Sequence, residues 1–168
     1  QDHMGLFAVT AGNEIEDFAQ SFKDKHDDYN YILIKGIADR LAEASAELIH
    51  KKFREIFGFG ITENLSNEDL IKEKYRGIRP APGYPSCPDH TEKAKIWEIL
   101  DVKAKTKIEL TESFAMTPAS SVSGYLFAHP ESKYFTLGPI LKDQLETYAN
   151  SKNISLDEAE KWLKTILI

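Results

Sequence analysis

The 168-residue chain contains a single cysteine, Cys87. One cysteine excludes an internal disulfide and any zinc or iron–sulfur site built from several cysteines, and this usage is typical of a reducing cytoplasm. A catalytic thiol would need a neighbouring base, and although His90 follows three residues later, Pro88 stands between them. We therefore expect Cys87 and His90 to be structural residues of a loop.

Excess positive charge and long apolar runs are also missing. The chain has 21 Lys and Arg against 27 Asp and Glu, a net charge of −6, which argues against a nucleic-acid or anionic-membrane partner. No segment approaches the roughly 18 apolar residues of a membrane span, and the N-terminus lacks a secretion signal. We expect a cytoplasmic protein. Because Gln1 leads almost directly into a strand-like segment, residues 4–10, we also expect upstream sequence to be missing.

The patterns of common catalytic sites are absent as well. Gly58-Phe59-Gly60 is the nearest approach to a dinucleotide-binding turn, but it lacks the third glycine, and there is no P-loop. The five histidines show no metal-binding spacing such as H-E-x-x-H, and no serine stands in a nucleophile elbow. These absences count against a metal site, a serine hydrolase and a Rossmann-type methyltransferase.

The most distinctive segment present is the proline loop, residues 79–90, which holds four prolines and one glycine. Each proline fixes its own φ and pushes the preceding residue toward extended geometry, so the sequence predicts a stiff, shaped loop. Arg79 offers donors suited to a carboxylate or phosphate, Gly83 permits close backbone approach, and Tyr84 supplies a ring and a hydroxyl. The segment is typical of a loop that grips a ligand with main-chain groups.

A capping pair, Asp89 and Glu92, predicts a helix from about His90 to Leu100. Its predicted buried stripe is Ala94, Trp97 and Leu100. The proline loop would therefore end at a helix N-terminus, whose unpaired N–H groups add to the capacity of the loop to receive an anion or a carbonyl.

A long helix is predicted between Asp27 or Asp28, as its N-cap, and Gly58 just past its end. A shorter amphipathic helix with apolar residues at 15, 18, 19 and 22 precedes it. The apolar face of the long helix is predicted to be Ile34, Ile37, Ala38, Leu41, Ser45, Leu48, Ile49, Phe53 and Ile56.

Three further helices follow from their start signals. Ser66 with Asp69 predicts a short helix through residue 74 that points Glu73 and Tyr75 toward the proline loop. Pro139 begins a helix through about residue 150. The last helix has the capping pair Ser155 and Glu158, and its predicted buried residues are Ala159, Trp162, Leu163 and Ile166.

The hydrophobic period changes from 3.6 to 2 in the second half of the chain. Residues 108–110, 113–116, 121–128 and 134–137 are predicted strands, and their short connections favour antiparallel pairing. Residues 121–135 predict a hairpin with a turn at Pro130, with Tyr125 and Phe127 in the core and the hydroxyl of Tyr134 at a surface or pocket. Helices, then strands, then helices predict one α+β domain with a twisted antiparallel sheet and several helices.

Four segments together resemble a known family. They are RPAPGYPSCPDHTEK (79–93), ADRLAEASAE (38–47), LTESFAM (110–116) and SVSGYLFAHPESKYF (121–135). They are similar to the C-terminal activation domain of cobalamin-dependent methionine synthase, which binds S-adenosylmethionine. The resemblance extends along essentially the whole chain, so residues 1–168 are expected to form one domain or an incomplete one. It covers about the C-terminal half of the family's domain, and the other half contributes an aspartate to the ligand site.

The resemblance implies a repair function within a methyltransferase. In the family, inactive cob(II)alamin, presented by a neighbouring cobalamin-binding domain, is reduced by a flavodoxin-type electron donor and methylated by S-adenosylmethionine held in this domain. No residue need act as acid, base or nucleophile, because the sulfonium methyl is already electrophilic and the protein has only to position it. The isolated chain is therefore expected not to be catalytic.

The resemblance also implies a ligand site. Arg79 would pair with the carboxylate of the ligand, a bidentate interaction that lysine could not reproduce. Main-chain groups of Ala81 and Gly83 would meet the adenosyl moiety, with Tyr84 beside them. Tyr134 and Phe135 would line the opposite side; the second position is sometimes tyrosine in relatives, and phenylalanine offers no hydroxyl there.

Two acidic residues, Glu43 and Glu73, match positions near the site of the family. A carboxylate there would complement the ammonium or sulfonium of the ligand. For Glu43 the alternative is a solvated side chain, since exposed glutamates are routine on long helices.

Two other functions stay open at this point. One is a docking module that holds the cobalamin domain and the electron donor, with weak or lost ligand binding. The other is a free-standing methyltransferase, which the missing glycine-rich nucleotide turn disfavours.

Overall fold

The computed structural model describes residues 3–168, and its main sheet has two antiparallel strands. β1 (Met4–Thr10) pairs with β4 (Ser121–Phe127), with Met4 opposite Phe127 and Thr10 opposite Ser121. A second, smaller sheet pairs β2 (Glu109–Leu110) with β3 (Met116–Thr117). The predicted α+β class with antiparallel pairing is confirmed.

Seven α-helices lie within the described residues, and three of them begin at predicted caps. Asp27 accepts a hydrogen bond from the backbone of Asn30 (3.1 Å), and Ser155 accepts one from that of Glu158 (3.1 Å). Ser66 and Asp69 form a reciprocal capping box. The helices are α1 (Ile15–Lys23), α2 (Asp28–Ile56), α3 (Asn67–Ile71), α4 (Lys93–Leu100), α5 (Val102–Thr106), α6 (Lys142–Lys152) and α7 (Leu156–Leu163). None of these helices is long and apolar enough to span a membrane.

The buried face of α2 differs from the predicted one. The large apolar residues Ile37, Leu41 and Leu48 are about half exposed, at 48%, 54% and 56%. Ala38 and Phe53 are buried as predicted, and the other buried residues are Ala42, Ala46, His50 and Arg54. Ala46 and Phe53 join the core that α2 forms with Phe7, Leu126 and Ala128 of the main sheet and its end. The short side chain of Ala46 lets the helix backbone approach the sheet closely.

The predicted hairpin at residues 121–135 is wrong in its second half. β4 ends at Phe127, and residues 128–139, which we call the strap, have no regular strand or helix. Polar groups of the strap bond locally, as in the contact from the backbone of Ser132 to the carbonyl of His129 (3.0 Å). The edge of β4 that the strap would have occupied is taken by Ile78, which exchanges two 3.0 Å hydrogen bonds with Phe127. β3 is likewise shorter than the predicted strand and begins only at residue 116.

Helix boundaries are corrected at three places. α3 ends at Ile71, short of the predicted residue 74. The first turn after Asp89 is a 3₁₀ turn, His90–Glu92, and only then does α4 begin. α6 begins at Lys142 rather than Pro139, because Ile140 is extended and exchanges hydrogen bonds with residues 166 and 168 (2.8 and 3.1 Å).

The predicted buried stripes of α4 and α7 are corrected in part. In α4 the buried residues are Lys93 and Ile96, whereas Ala94 is exposed and Trp97 is half-buried, with its indole N–H bonded to the carbonyl of Ile108 (3.0 Å). In α7 the structure buries Ala159 and Leu163, as predicted, but leaves Trp162 and Ile166 partly exposed. The C-terminal core is a separate cluster of Ile140, Leu145, Ala149, Ala159 and Leu163.

Candidate functional site

The proline loop is fastened along β4. The backbone of Tyr125 donates a hydrogen bond to the carbonyl of Pro80 (2.9 Å), directly after the Ile78 bridge. Gly124 makes this approach possible, since a Cβ there would lie 2.6 Å from the same carbonyl oxygen. The start of the loop therefore behaves as a short extension of the main sheet.

Within the loop, a tight turn depends on Gly83. Its φ is +100°, and a Cβ would lie 2.3 Å from the ring of His90. Its N–H donates to the carbonyl of Cys87 (2.7 Å), whose own N–H donates to the carbonyl of Tyr84 (2.8 Å). The conformation that glycine permits is thus used to fold the loop onto His90.

The strap lies against the same loop. The hydroxyl of Tyr134 accepts a hydrogen bond from the backbone N–H of Arg79 (3.0 Å), and the backbone of Leu137 donates to the carbonyl of Pro85 (3.0 Å). These two bonds place Tyr134 and Phe135 opposite the loop without a strand pairing. Burial raises the pKa of Tyr134, so its hydroxyl stays protonated.

Between the loop and the strap is a cleft of about 410 Å³. Phe7 of β1 and Val122 of β4 line it together with the loop prolines 80 and 85. The structure brings six of the predicted site residues to this cleft: Glu43, Arg79, Ala81, Tyr84, Tyr134 and Phe135. Tyr84 and Phe135 are each 60% exposed.

The other two predicted residues lie elsewhere. Gly83 borders an adjoining cavity of about 230 Å³, which shares Glu43, Ala81 and Tyr84 with the cleft. Glu73 lines neither cavity, but its Oε1 lies 3.7 Å from Nη2 of Arg79. Its effect on the cleft is therefore exerted through Arg79.

The guanidinium of Arg79 is partly engaged within the protein. Nη1 lies 2.8 Å from Oε2 of Glu47, 3.4 Å from Nδ1 of His50, and within hydrogen-bond reach of the hydroxyl of Tyr75. Nη2 has Glu73 nearby, beyond hydrogen-bond distance. Nη1 is thus held by partners within the protein, whereas the N–H groups of Nη2 can still donate hydrogen bonds.

A buried charge cluster behind Arg79 was not predicted. Arg54 is fully buried, and its Nε donates to both carboxylate oxygens of Glu63 (3.1 and 3.0 Å). Its guanidinium lies 3.9 Å from the ring centre of Tyr75. Burial, and then the charges of Arg54 and Arg79, lowers the pKa of His50 to about 3, so the imidazole is neutral.

A signal for this cluster was present in the sequence. Glu47, His50 and Arg54 recur at intervals of three and four residues, the spacing of one helix face. Polar residues on one helix face form an internal polar network when that face is buried. The prediction was guided by the large apolar residues of α2, most of which lie on another face.

The helix N-terminus after the proline loop is already occupied by Asp89. This buried carboxylate accepts from the backbone of Thr91 (2.7 Å) and bonds the side chains of Lys152 and Tyr148. The prediction that this helix end can receive an anion from a ligand is therefore wrong. The carboxylate of Asp89, which bonds two side chains of α6, already occupies it.

Neither Cys87 nor His90 has the environment of a catalytic dyad. Burial raises the pKa of the Cys87 thiol, which disfavours the reactive thiolate. Burial and the Lys93 charge lower the pKa of His90, whose Nδ1 lies 2.6 Å from Nζ of Lys93. Across residues 3–168, no group of three or more His, Cys, Asp or Glu is arranged to hold a metal ion.

Comparison with known proteins shows the family of the chain. The chain is similar to the protein in the crystal structure of the MetH reactivation domain bound to AdoHcy, with 55% identity and a TM-score of 0.95. The similarity covers 98% of this chain and 51% of that one, so this chain spans about half of that length. The sequence model for the activation domain of vitamin B12-dependent methionine synthase matches residues 1–153. The chain therefore belongs to the family of vitamin B12-dependent methionine synthase activation domains.

Proposed function

We propose that the cleft binds S-adenosylmethionine and presents its methyl group for the reductive methylation of cobalamin. The observation that carries this proposal is the meeting of six predicted residues at one cleft. These residues meet in a chain that is 55% identical to a domain whose crystal structure contains AdoHcy, the demethylated form of S-adenosylmethionine.

The size and walls of the cleft suit such a ligand. A volume of about 410 Å³ lies within the range of roughly 300 to 1,000 Å³ typical of small-molecule sites. Pro80, Ala81 and Val122 supply apolar surface, and Tyr84 and Phe135 supply exposed rings against which an adenine can stack. The adenosyl half of the ligand belongs on this side.

The amino-acid half of the ligand belongs beside Arg79. Its carboxylate can take the Nη2 donors, because Glu47 and its neighbours hold Nη1 and leave Nη2 with a carboxylate only at 3.7 Å. Charge-assisted bonds of this kind are roughly twice as strong as neutral ones. The ligand carboxylate would therefore pair with Nη2 alone, because Nη1 already has partners within the protein.

The positive charges of the ligand belong near Glu43. This carboxylate lines the cleft and is exposed on α2. Glu73 stands on the other side of Arg79. Together they favour a ligand that carries a sulfonium and an ammonium.

The proposed reaction requires no acid, base or nucleophile from this chain. Bound S-adenosylmethionine would supply an already electrophilic methyl group and would leave as AdoHcy when its S–CH₃ bond breaks. The methyl acceptor would be cobalamin from the cobalamin-binding domain, reduced by one electron from a flavodoxin-type donor. The chain holds the ligand in one orientation and excludes water from its apolar side. This task requires none of the residues that line the cleft to act as acid, base or nucleophile.

Calorimetric titration of S-adenosylmethionine into the chain tests the proposal, with AdoHcy and the MetH reactivation domain as the positive control. We expect Arg79→Ala to weaken binding by roughly 2 to 4 kcal/mol, the scale of a lost charged hydrogen bond to a partly buried group. The matched control is Arg40→Ala, which removes an exposed arginine from α2 and should leave the affinity unchanged. Equal affinities for wild type and Arg79→Ala, with both proteins folded by their melting curves, would contradict the assignment.

A second function, docking of partner domains, is favoured by one observation. Ile37, Leu41 and Leu48 are about half exposed on α2, and exposed large apolar side chains on one helix are typical of protein contacts. The cobalamin-binding domain is the partner that the family implies. A ligand that binds only the folded state must raise the melting temperature. Docking alone would be supported if S-adenosylmethionine leaves the melting temperature of the chain unchanged and the chain still binds the cobalamin-binding domain.

A further inference from the structure

We propose that Glu47 is a positioning residue that fixes the guanidinium of Arg79 at the wall of the cleft and keeps its Nη2 donors available to a ligand carboxylate. This inference rests on the proposed function, because it assigns the part of the protein that orients the anchor for the amino-acid half of S-adenosylmethionine. Glu47 itself does not line the cleft.

One oxygen of Glu47 organises the back of the site. Oε2 lies 2.8 Å from Nη1 of Arg79 and accepts a hydrogen bond from the hydroxyl of Tyr75 (3.0 Å). Tyr75 in turn contacts the same Nη1, and Nδ1 of His50 lies 3.4 Å from it. Nη1 is therefore restrained by a carboxylate, a phenol and an imidazole, all fixed on or against α2.

A second cation holds Glu47 from behind. The other oxygen, Oε1, lies 4.0 Å from Nη1 of Arg54, an arginine that is fully buried and anchored by Glu63 through its Nε. Neither that oxygen nor the two Nη atoms of Arg54 makes a hydrogen bond among the described residues. The interaction is thus electrostatic, and charges alternate along the row Glu63, Arg54, Glu47, Arg79.

This row predicts what loss of the Glu47 charge would do. Arg54 and Arg79 would be left as neighbouring like charges, and Glu63 is already committed to Arg54. Of the described carboxylates, Glu73 is the one other acid in contact with Arg79, and it approaches Nη2. The guanidinium would shift toward Glu73, and the donors proposed for the ligand would be consumed inside the protein.

A double-mutant cycle on the affinity for S-adenosylmethionine tests the role of Glu47. We expect Glu47→Gln, which keeps the shape of the side chain, to weaken binding about tenfold, and to have no further effect in an Arg79→Ala background. Glu55→Gln is the control, because Glu55 lies on the same helix and pairs with the exposed Lys52. An unchanged affinity in Glu47→Gln, or equal losses in both backgrounds, overturns the proposal.

A second measurement needs no ligand. In ¹⁵N NMR of the arginine side chains, Glu47→Gln should shift and broaden the Nε–Hε signal of Arg79, whereas Glu55→Gln should leave it unchanged. An unaffected Arg79 signal overturns the positioning role and leaves ligand binding standing. A wild-type chain that binds no S-adenosylmethionine, but whose Arg79 signal responds to Glu47→Gln, overturns the proposed function and supports the restraint on the guanidinium.

Discussion

Arg79 and His50 show how the site depends on the protonation of single residues. Nδ1 of His50 faces Nη1 of Arg79 at 3.4 Å, and only an unprotonated nitrogen can accept a hydrogen bond from a guanidinium. Burial and two nearby arginines keep the imidazole neutral by lowering its pKa to about 3. The orientation of Arg79 is therefore tied to a histidine that must stay uncharged.

This histidine predicts a pH dependence of stability. Its folded-state pKa lies below the unfolded value of about 6.5, so the unfolded chain binds the extra proton, and stability present above pH 6.5 is lost as the pH falls toward 3. We expect a loss of about 2 kcal/mol from this group between about pH 7 and pH 5. Chemical denaturation at the two pH values measures it, and His50→Phe should show a smaller loss than wild type.

His90 also has a lowered pKa, so its effect on the pH dependence of stability has the same sign as that of His50. Because wild type and His50→Phe both retain His90, this effect cancels when their pH profiles are compared. Identical pH profiles for wild type and His50→Phe would show that His50 is not held neutral in the folded state.

At the residue scale, the sequence allowed prediction of the cleft residues but not of their support. Arg79, Tyr84 and Tyr134 stand in unusual local contexts, beside prolines and aromatic residues, and these contexts point to a shaped site. Glu47 and Arg54 share one face of α2, but their spacing alone does not show that this face is buried. Their roles arise from the packing of α2 against Tyr75 and the loop, and a helical period does not contain that information.

At the scale of elements, the proline loop and the strap form the two walls, and they are stiffened in different ways. The loop is fixed internally by its prolines and by the turn at Gly83, whereas Tyr134 and Leu137 of the strap bond it to the loop. The rigid wall is therefore the loop, and the strap takes its position from it.

The turn at Gly83 predicts a local stability effect. Gly83→Ala introduces a strained positive φ, about 1 to 3 kcal/mol, and a Cβ placed 2.3 Å from the ring of His90. Gly58→Ala is a matched control, because Gly58 has a φ of +86° but nothing within 4 Å of the added Cβ. Urea unfolding should show a clearly larger loss for Gly83→Ala, and equal losses would mean that the His90 contact does not constrain the loop.

The helix starts marked by Asp27, Ser66 and Ser155 were predicted correctly because such caps are local. Asp27, Ser66 and Ser155 act as caps through side-chain bonds that reach only three residues along the chain. The face of α2 was mispredicted in part because its buried residues include three alanines, which a search for large apolar residues underweights. The strap was mispredicted as a strand because Ile78, distant in sequence, occupies the edge of β4 that a hairpin partner would use.

At the scale of the whole molecule, the proline loop connects two separate cores. The first surrounds Phe7 and Leu126 between α2 and the main sheet, and the second joins α6 and α7. Lys152 and Asp89 form the ion pair that connects α6 to the end of the proline loop. The loop is thus fastened at its start by β4 and at its end by α6, and this explains how an irregular segment can form one wall of a site.

The most direct test of the central claim is a map of amide chemical shifts during titration with AdoHcy or S-adenosylmethionine. We expect saturable shifts at residues 79–86 and 134–136, with little change in the C-terminal core around Leu145 and Leu163. The matching shifts should be lost or greatly reduced in Arg79→Ala. Saturable shifts confined to another surface, or none at concentrations that saturate the MetH reactivation domain, would contradict the assignment of this cleft as the ligand site.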